Sequence, residues 1–353
     1  MKSTFDINDE AQRARWNNFV AASPHGDVLQ TLEWGEVKKP DWQPVPVAAE
    51  ENGELVATAL VLKRKLPGGK CLFYVPRGPI LDWSNPRLFG LIKEQLLIAA
   101  KLHSAIYIKI DPALPDKSTF SDLFTRNGFI RSPEARSSFG GTQPRYVMKL
   151  DISHSLEEVM ADFHTKWRYN IRLGARKGLR VKDDCTRDDL KIFHPIYRET
   201  AARDGFTGYP LSYFETLWDV LVERGMAKLF LVYHENQPLS GAISFVLGKQ
   251  CWYVFGASSN EKRNLMPNHS MQWAMMNWAK ECGCDTYDFR GVHNVPNDAT
   301  SADLMESEDG LVRFKAGFGA ELIHYCGEWD LPLSRPGYWA WTSLRPALQK
   351  LRK

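Results

Sequence analysis

Seven cations and no carboxylate occupy residues 166–182: Lys166, Arg168, Arg172, Arg176, Lys177, Arg180 and Lys182. On a helix, Arg168, Arg172 and Arg176 recur every fourth residue and form one stripe, with Trp167 and Ile171 on a neighbouring face. Like charges at that spacing repel one another unless they meet phosphates, so the stripe points to a polyanion such as RNA. The alternative is a solvated face balanced by Asp183, Asp184, Asp188 and Asp189. The aromatic residues here are too few for a stacking platform, so base-specific reading is not expected. Lys315 follows Phe314 and precedes Ala316 and Gly317, where small residues let another group come close. An ammonium there suits the oxyanion of an acyl transfer, its alternative being a surface lysine on a helix. Asp111 ends an apolar run and precedes Pro112. A carboxylate so placed can take a proton from, or orient, an attacking ammonium, and the alternative is a turn-forming Asp-Pro pair.

Other chemistries find little support. The chain has no Gly-x-Ser-x-Gly or His-Glu-x-x-His, and its nine histidines form no cluster. The closest cysteine pair, Cys282 and Cys284, lacks the two-residue spacer and second ligand pair of a zinc site, so no metal is expected. The six cysteines read as reduced thiols of a cytosolic protein. Net charge is only +3, so a phosphate partner must be served by local clustering.

The elements that must position these residues occur twice. Residues 45–55, 57–62 and 71–78 read as strand, turn, strand and strand, and residues 229–239, 241–246 and 251–256 repeat the pattern. A helix over 88–102 and a strand over 105–110 follow in the first copy; in the second, a helix that Asn268 can cap and a strand over 286–290 follow. Residues 124–129 then mirror 313–318. Mixed strands with covering helices give an α/β (α+β) class, and the order matches the N-acetyltransferase (GNAT) fold in tandem, from an internal duplication. The expected domains are 1–149 plus 320–353, and 150–319, with a functional site in the cleft between copies. A helical pair over 156–221 opens the second copy, and a polar loop over 293–308 reads as a mobile flap. Coenzyme A needs a glycine-rich pyrophosphate cradle, and the segments at 258–268 and 80–86 hold no glycine, which argues against that cofactor.

No run of about 18 apolar residues is present and the first residues are polar, so the chain is expected to be neither secreted nor membrane-spanning but cytoplasmic. Near the carboxyl end, Tyr338, Trp339 and Trp341 precede the basic amphipathic stretch 344–353. It reads either as a helix packed on its own domain or as a segment resting on the inner face of an anionic membrane.

Several stretches resemble the Fem family (FemA, FemB and FemX), the non-ribosomal peptidyltransferases that build the interpeptide bridges of peptidoglycan. They are Gln30-Thr31-Leu32-Glu33-Trp34-Gly35-Glu36-Val37-Lys38, Tyr107-Ile108-Lys109-Ile110-Asp111-Pro112 and Arg168-Tyr169-Asn170-Ile171-Arg172 with Ala175-Arg176-Lys177. Further matches are Arg203-Asp204-Gly205-Phe206, Pro210-Leu211-Ser212-Tyr213-Phe214, Tyr287-Asp288-Phe289-Arg290-Gly291 and Phe314-Lys315-Ala316-Gly317-Phe318-Gly319. With no coiled-coil arm visible, the compact FemX form fits best. The resemblance implies transfer of an amino acid from aminoacyl-tRNA, without a cofactor, to an amine on a UDP-linked or lipid-linked muropeptide, in the service of the cell wall and cell shape. It implies a muropeptide site lined by Lys38 and Tyr213, with Trp34, Arg203, Tyr209 and Arg290 also on the substrate side. Asp111 and Tyr253 or Phe255 would lie along the cleft, and Phe314 with Lys315 at the aminoacyl end. The tRNA phosphates would meet Lys166, Arg168, Arg172, Arg176 and Lys177. The sequence departs from the pattern at Tyr209, where a FemX-like enzyme has a phosphate-binding arginine. Either Arg203 or Arg290 replaces it, or the acceptor is lipid-linked and held differently. Two other readings remain: an N-acyltransferase of the same fold using another acyl donor on a polysaccharide or protein amine, and a non-enzymatic RNA- or membrane-binding module.

Overall fold

A computed structural model describes residues 5–39, 41–133, 141–293, 295–296 and 299–344. The chain divides into two compact units, residues 1–145 with 324–353, and residues 146–323. The first contains α1 (Glu10–Ala22), α2 (Leu32–Lys38), β1 (Gln43–Glu51), β2 (Glu54–Lys65), β3 (Cys71–Arg77), β4 (Ile80–Leu81), α3 (Pro86–Leu102), β5 (Ala105–Pro112), α4 (Ser118–Arg126) and β6 (Ile130–Arg131). The second runs through β7 (Tyr146–Asp151), α5 (Leu156–Asp162), α6 (Thr165–Arg176), β8 (Leu179–Lys182), α7 (Leu190–Asp204), α8 (Leu211–Leu217), β9 (Ala227–His234), β10 (Gln237–Leu247) and β11 (Gln250–Ser258). It continues with α9 (Pro267–Glu281), β12 (Thr286–Gly291), α10 (Ser301–Glu306), α11 (Gly310–Ala316) and β13 (Glu321–His324). The chain then returns to the first unit as β14 (Trp329–Pro332) and α12 (Arg335–Trp339).

The duplication is visible in the sheets. One has the order β1-β2-β3-β5-β14-β6, with β4 beside β2, and the other β13-β7-β12-β11-β10-β9-β8. In both, three antiparallel strands precede a helix, and the strand after it returns parallel to the third. Local chemistry explains the elements. Asn52 and Gly53 take positive φ (53° and 84°) and turn β1 into β2, as an Asn-Gly hairpin requires. The Asn85 side chain accepts from the Arg87 amide and Pro86 takes the first position of α3. Each sheet buries one face under helices: Phe73, Ile108 and Ile110 pack with Phe89, Ile92 and Leu96 in the first unit, and Phe230, Val232 and Tyr287 pack with Met271, Met275 and Phe318 in the second.

The copies differ where their parallel strands meet. β3 and β5, after a register shift between Cys71 and Phe73, stay paired to their carboxyl ends, Arg77 opposite Pro112. β11 and β12 pair only from Gln250–Thr286 to Trp252–Asp288, although β11 continues to Ser258. Gln30 reinforces the first sheet from the side. Its amide nitrogen donates to the Pro76 carbonyl at 2.5 Å and its oxygen accepts from the Leu60 amide at 2.9 Å.

Three local expectations are corrected. Asn268 does not cap α9: the cap is Met266 in a left-handed conformation (φ 59°), Pro267 is the first helical residue, and Asn268 lies inside the first turn. The stretch 156–221 is not a helical pair but four helices, α5 to α8, with the edge strand β8 among them. Within 293–308, residues 294, 297 and 298 lie outside the described residues. The remainder includes α10, whose first turn is held by a reciprocal cap between Thr300 and Asp303 and which buries Leu304, so it is a packed helix rather than an open flap.

Candidate functional site

Lys315 occupies the last turn of α11 and is buried to 3% exposure. Its ammonium donates to the carbonyl of Gly291 at 2.6 Å and to that of Arg290 at 3.4 Å, at the end of β12. The strand is deformed at that point. Arg290 holds φ at 60° while its amide donates to the Asp288 carboxylate at 2.6 Å, and the ladder to β7 loses register there. A non-glycine residue in the left-handed region is a strained backbone that its surroundings must enforce. Burial pushes the Lys315 ammonium down to about 7, against the attraction of Asp288 and Asp309. The side chain is therefore shared between ammonium and amine near neutrality. Two carbonyls aim at it, and it sits beside the place where β11 and β12 part. The Arg290 guanidinium lies over the Trp252 ring at 5.5 Å.

The cationic stripe is a helix, α6, and it is keyed to this turn. Lys166, Arg172, Arg176 and Lys177 are exposed, and Trp167 and Ile171 are buried. Arg168 is turned back onto the end of α5, donating to the carbonyls of Ala161 and Phe163. The Trp167 indole N–H donates to the Phe314 carbonyl at 2.9 Å. Its ring also covers Gly317, where an added Cβ would stand 2.6 Å from two ring carbons. His269 packs edge-on between Trp167 (centroids 5.3 Å apart) and Phe314 (5.2 Å). Burial, then Lys166, pushes the His269 imidazole down to about 4, so it is neutral at physiological pH. Its Nε2 can then accept from the Asn170 amide at 3.2 Å. Gly174 completes the seating, since a Cβ there would stand 2.5 Å from the Ser270 hydroxyl of α9.

Further along β11, Tyr209 and Tyr213 stack at 4.0 Å and 14°, and the Phe255 ring meets both edge-on at 6.0 and 6.1 Å. Arg203 ties the end of α7 to the end of β11, donating to the Ser258 carbonyl at 2.8 Å and to Asn260 at 3.2 Å while pairing with Asp204. Tyr253 lies half-buried on the Gly256 backbone, and burial pushes its phenol up to about 12. Phe314, Lys315 and Arg290 are thus brought together, and Tyr209, Tyr213 and Phe255 form a separate aromatic group.

In the first unit, Asp111 is 1% exposed; its oxygens face the Arg77 guanidinium at 3.4 Å and the Tyr74 hydroxyl at 3.3 Å. Burial pushes the Asp111 carboxyl up to about 7, a desolvation that the single guanidinium offsets only in part. Arg77 also donates to the Pro144 carbonyl at 2.6 Å and lies over the Tyr325 ring. Lys38, half-buried at the end of α2, holds its ammonium 5.4 Å from the Trp34 ring, and burial pushes it down. Sequence reasoning missed His269 and Arg77, and it named Trp167 and Gly317 without joining them. The aromatic residue inside the cationic stripe and the first glycine after Lys315 were the signals available for joining them.

Tandem sheets of this topology, with a cationic helix seated beside a buried lysine, place the chain among double N-acetyltransferase-fold proteins. A solved tandem GNAT protein from the clavulanic acid biosynthesis pathway shares that fold with a TM-score of 0.53 at 12% identity, covering 93% of this chain and 97% of its own. The crystal structure of FemX is much nearer, with a TM-score of 0.84 at 30% identity over 94% of this chain and 98% of its own. The FemAB family model matches residues 12–233 and 223–345. The lipid II:glycine glycyltransferase of Staphylococcus saprophyticus is 31% identical, over 98% of this chain and 97% of its own length. That of Staphylococcus haemolyticus is also 31% identical, over 95% and 94%. The chain belongs to the FemAB family.

Proposed function

We propose that this chain is an aminoacyltransferase that moves an amino acid from aminoacyl-tRNA to a stem-peptide amine of a lipid-linked peptidoglycan precursor. The observation that carries the reading is Lys315: a buried ammonium, titrating near neutrality, held on two carbonyls at the end of β12 and keyed through Trp167 to an exposed cationic helix. The donor is an ester already activated by its tRNA, so aminolysis needs no covalent enzyme intermediate. The acceptor nitrogen, as free amine, attacks the ester carbonyl carbon, and a C–N bond forms as the C–O bond to the ribose breaks. The proton shed by the amine goes to the leaving ribose hydroxyl. The protein supplies alignment and a cation near the developing oxyanion. Lys315 in its ammonium form is that cation. Phe314 lies against the aminoacyl end, and Lys166, Arg172, Arg176 and Lys177 meet the RNA phosphates.

On the acceptor side, Arg203, Arg290, Tyr209, Tyr213, Tyr253 and Phe255 of the second unit contact the muropeptide. Tyr209 stacked on Tyr213 presents ring faces where a phosphate grip would need a cation, which favours a lipid-linked acceptor, as in the names of the staphylococcal relatives. The test offers mixed radiolabelled aminoacyl-tRNAs with UDP-linked and lipid-linked muropeptides, with and without RNase. RNase-sensitive label on the lipid-linked acceptor is expected. Transfer only to the UDP-linked acceptor would overturn the acceptor assignment, and turnover of acyl thioesters instead of aminoacyl-tRNA would overturn the donor.

A further inference from the structure

One end of the first unit's sheet gathers three segments of like character. The turn between β2 and β3 (residues 66–70), the turn from α3 into β5 and the segment after β14 meet there. The Cys71 amide donates to the Ser104 carbonyl at 3.3 Å, and the amides of Leu333 and Ser334 donate to the Ile106 carbonyl at 2.9 and 3.0 Å. Tyr338 sits edge-on to Tyr107 at 5.3 Å, and Tyr338, Trp341, Trp42 and Leu66 pack on Leu72, Tyr74 and Ile106. Residues 62–71, 97–106 and 331–344 contain Lys63, Arg64, Lys65, Lys70, Lys101 and Arg335 and no aspartate or glutamate. Among the described residues, Lys65, Lys70, Lys101 and Arg335 are exposed and have no carboxylate partner. The nearest acids along the chain are Asp330 and Asp111, both buried at 1% exposure, with Asp330 accepting from the Tyr338 hydroxyl at 2.9 Å, and Glu94, two helical turns back from Leu102 on α3.

Large apolar side chains stand exposed among these cations: Leu102 at 79%, Trp339 at 65%, Ile98 at 44% and Leu333 at 37%. Exposed leucine and tryptophan cost solvation free energy unless something apolar covers them. An RNA backbone would neutralise the cations and leave the apolar groups wet, and an acidic protein would need a matching apolar patch. An anionic bilayer satisfies both, since phosphates meet the lysines while leucine and tryptophan enter the headgroup boundary. Among the described residues no helix is long and apolar enough to cross a membrane, so contact would be from the side.

We propose that this rim, built by Lys65, Lys70, Lys101, Leu102, Arg335 and Trp339, is a docking surface for an anionic lipid bilayer. The proposal does not depend on the reaction assigned above, and its test contains neither donor nor acceptor. The full chain is sedimented with phosphatidylcholine vesicles, with and without phosphatidylglycerol. Binding is expected only with the anionic lipid and is expected to weaken as salt rises. Each neutralised cation should weaken partitioning about fivefold. A variant carrying Lys65→Ser, Lys70→Ser and Lys101→Ser should therefore fall by on the order of a hundredfold. Leu102→Ser with Trp339→Ser should also weaken binding while leaving its dependence on anionic lipid. All five positions are exposed, so thermal unfolding should be unchanged. Wild-type binding by the triple variant would show that the cations of residues 345–353 suffice, and equal binding to neutral vesicles would remove the electrostatic argument. Either result overturns the proposal, as would tRNA that displaces the vesicles and no longer binds the triple variant.

Discussion

Replacing Gly317 by alanine tests whether the cationic helix and the lysine turn are joined as described. Gly317 has φ −66° and ψ −12°, an ordinary right-handed conformation that alanine adopts freely. In open space the substitution would stabilise by about 0.4–1 kcal/mol through the unfolded chain. Here the new Cβ would stand 2.6 Å from two carbons of the Trp167 ring, against the 3.5–4.0 Å of an ordinary carbon contact. The ring cannot simply retreat, because its N–H is bonded to the Phe314 carbonyl and His269 packs against it. Overpacking of this kind costs about 1–3 kcal/mol, so Gly317→Ala should destabilise α6 and α11. With Trp167→Leu the obstruction is gone, and the alanine should be neutral or mildly stabilising. The double variant should then be more stable than the sum of the singles by roughly 1.5–3 kcal/mol. The two units need not unfold together, so the readout is native-state hydrogen exchange of amides in 165–177 and 310–319. Additivity within about 0.5 kcal/mol would refute the interlock.

Lys315→Ala should lower single-turnover transfer by about 10²–10³, the loss seen when one oxyanion donor is removed. Because the ammonium titrates near 7, the wild-type rate divided by that of Lys315→Ala at each pH, which removes the titration of the acceptor amine, should fall as pH rises through that value; a ratio that instead rises there would assign the amine as a base. In stability the sign is opposite. The fold disfavours the charged form, so the wild type should gain on Lys315→Met as pH rises from about 7 toward the unfolded value, in unfolding measured across pH. Arg172→Ala with Arg176→Ala should weaken tRNA binding equally for all tRNAs and reduce the slope of log K against log salt by about 1.5, at roughly 0.7–0.9 for each phosphate no longer neutralised. An unchanged slope would exclude those two side chains from the phosphates. For Asp111 the fold favours the neutral carboxyl, whose contribution is complete below the unfolded value and is lost as pH rises through about 7. Relative to Asp111→Asn, the wild type should therefore lose stability between about pH 4 and 7, and a pH-independent gap would show ordinary ionisation.

The tandem architecture was legible because its signals are local: an Asn-Gly turn, apolar periodicity in the helix that became α3, and a repeated order of strands and helices. The region from 156 to 221 was not, because short helices and a four-residue edge strand give periodicity too little length to register. The start of α9 was misplaced because a methionine in the left-handed region is a conformation that sequence does not announce. Within the site, α6 formed as its spacing indicated, and Lys315 fell in the small-residue turn that drew attention to it. What joins the two is a meeting of Trp167 with the Phe314–Gly317 turn, about 150 positions apart, and no periodicity encodes it. Arg77 facing Asp111 was hidden for the same reason.

The unequal fate of the two parallel strand pairs bears on stoichiometry. A duplicated chain inherits two equivalent crevices, and each could in principle take up an activated acyl group. In the amino-terminal copy, however, β3 and β5 remain zipped to Arg77 and Pro112, with Gln30 bolted across the neighbouring strands. Only the carboxyl-terminal copy parts its strands, beyond Trp252 and Asp288. Titration with a donor analogue should accordingly saturate at one equivalent per polypeptide, the sealed copy having given up its own crevice.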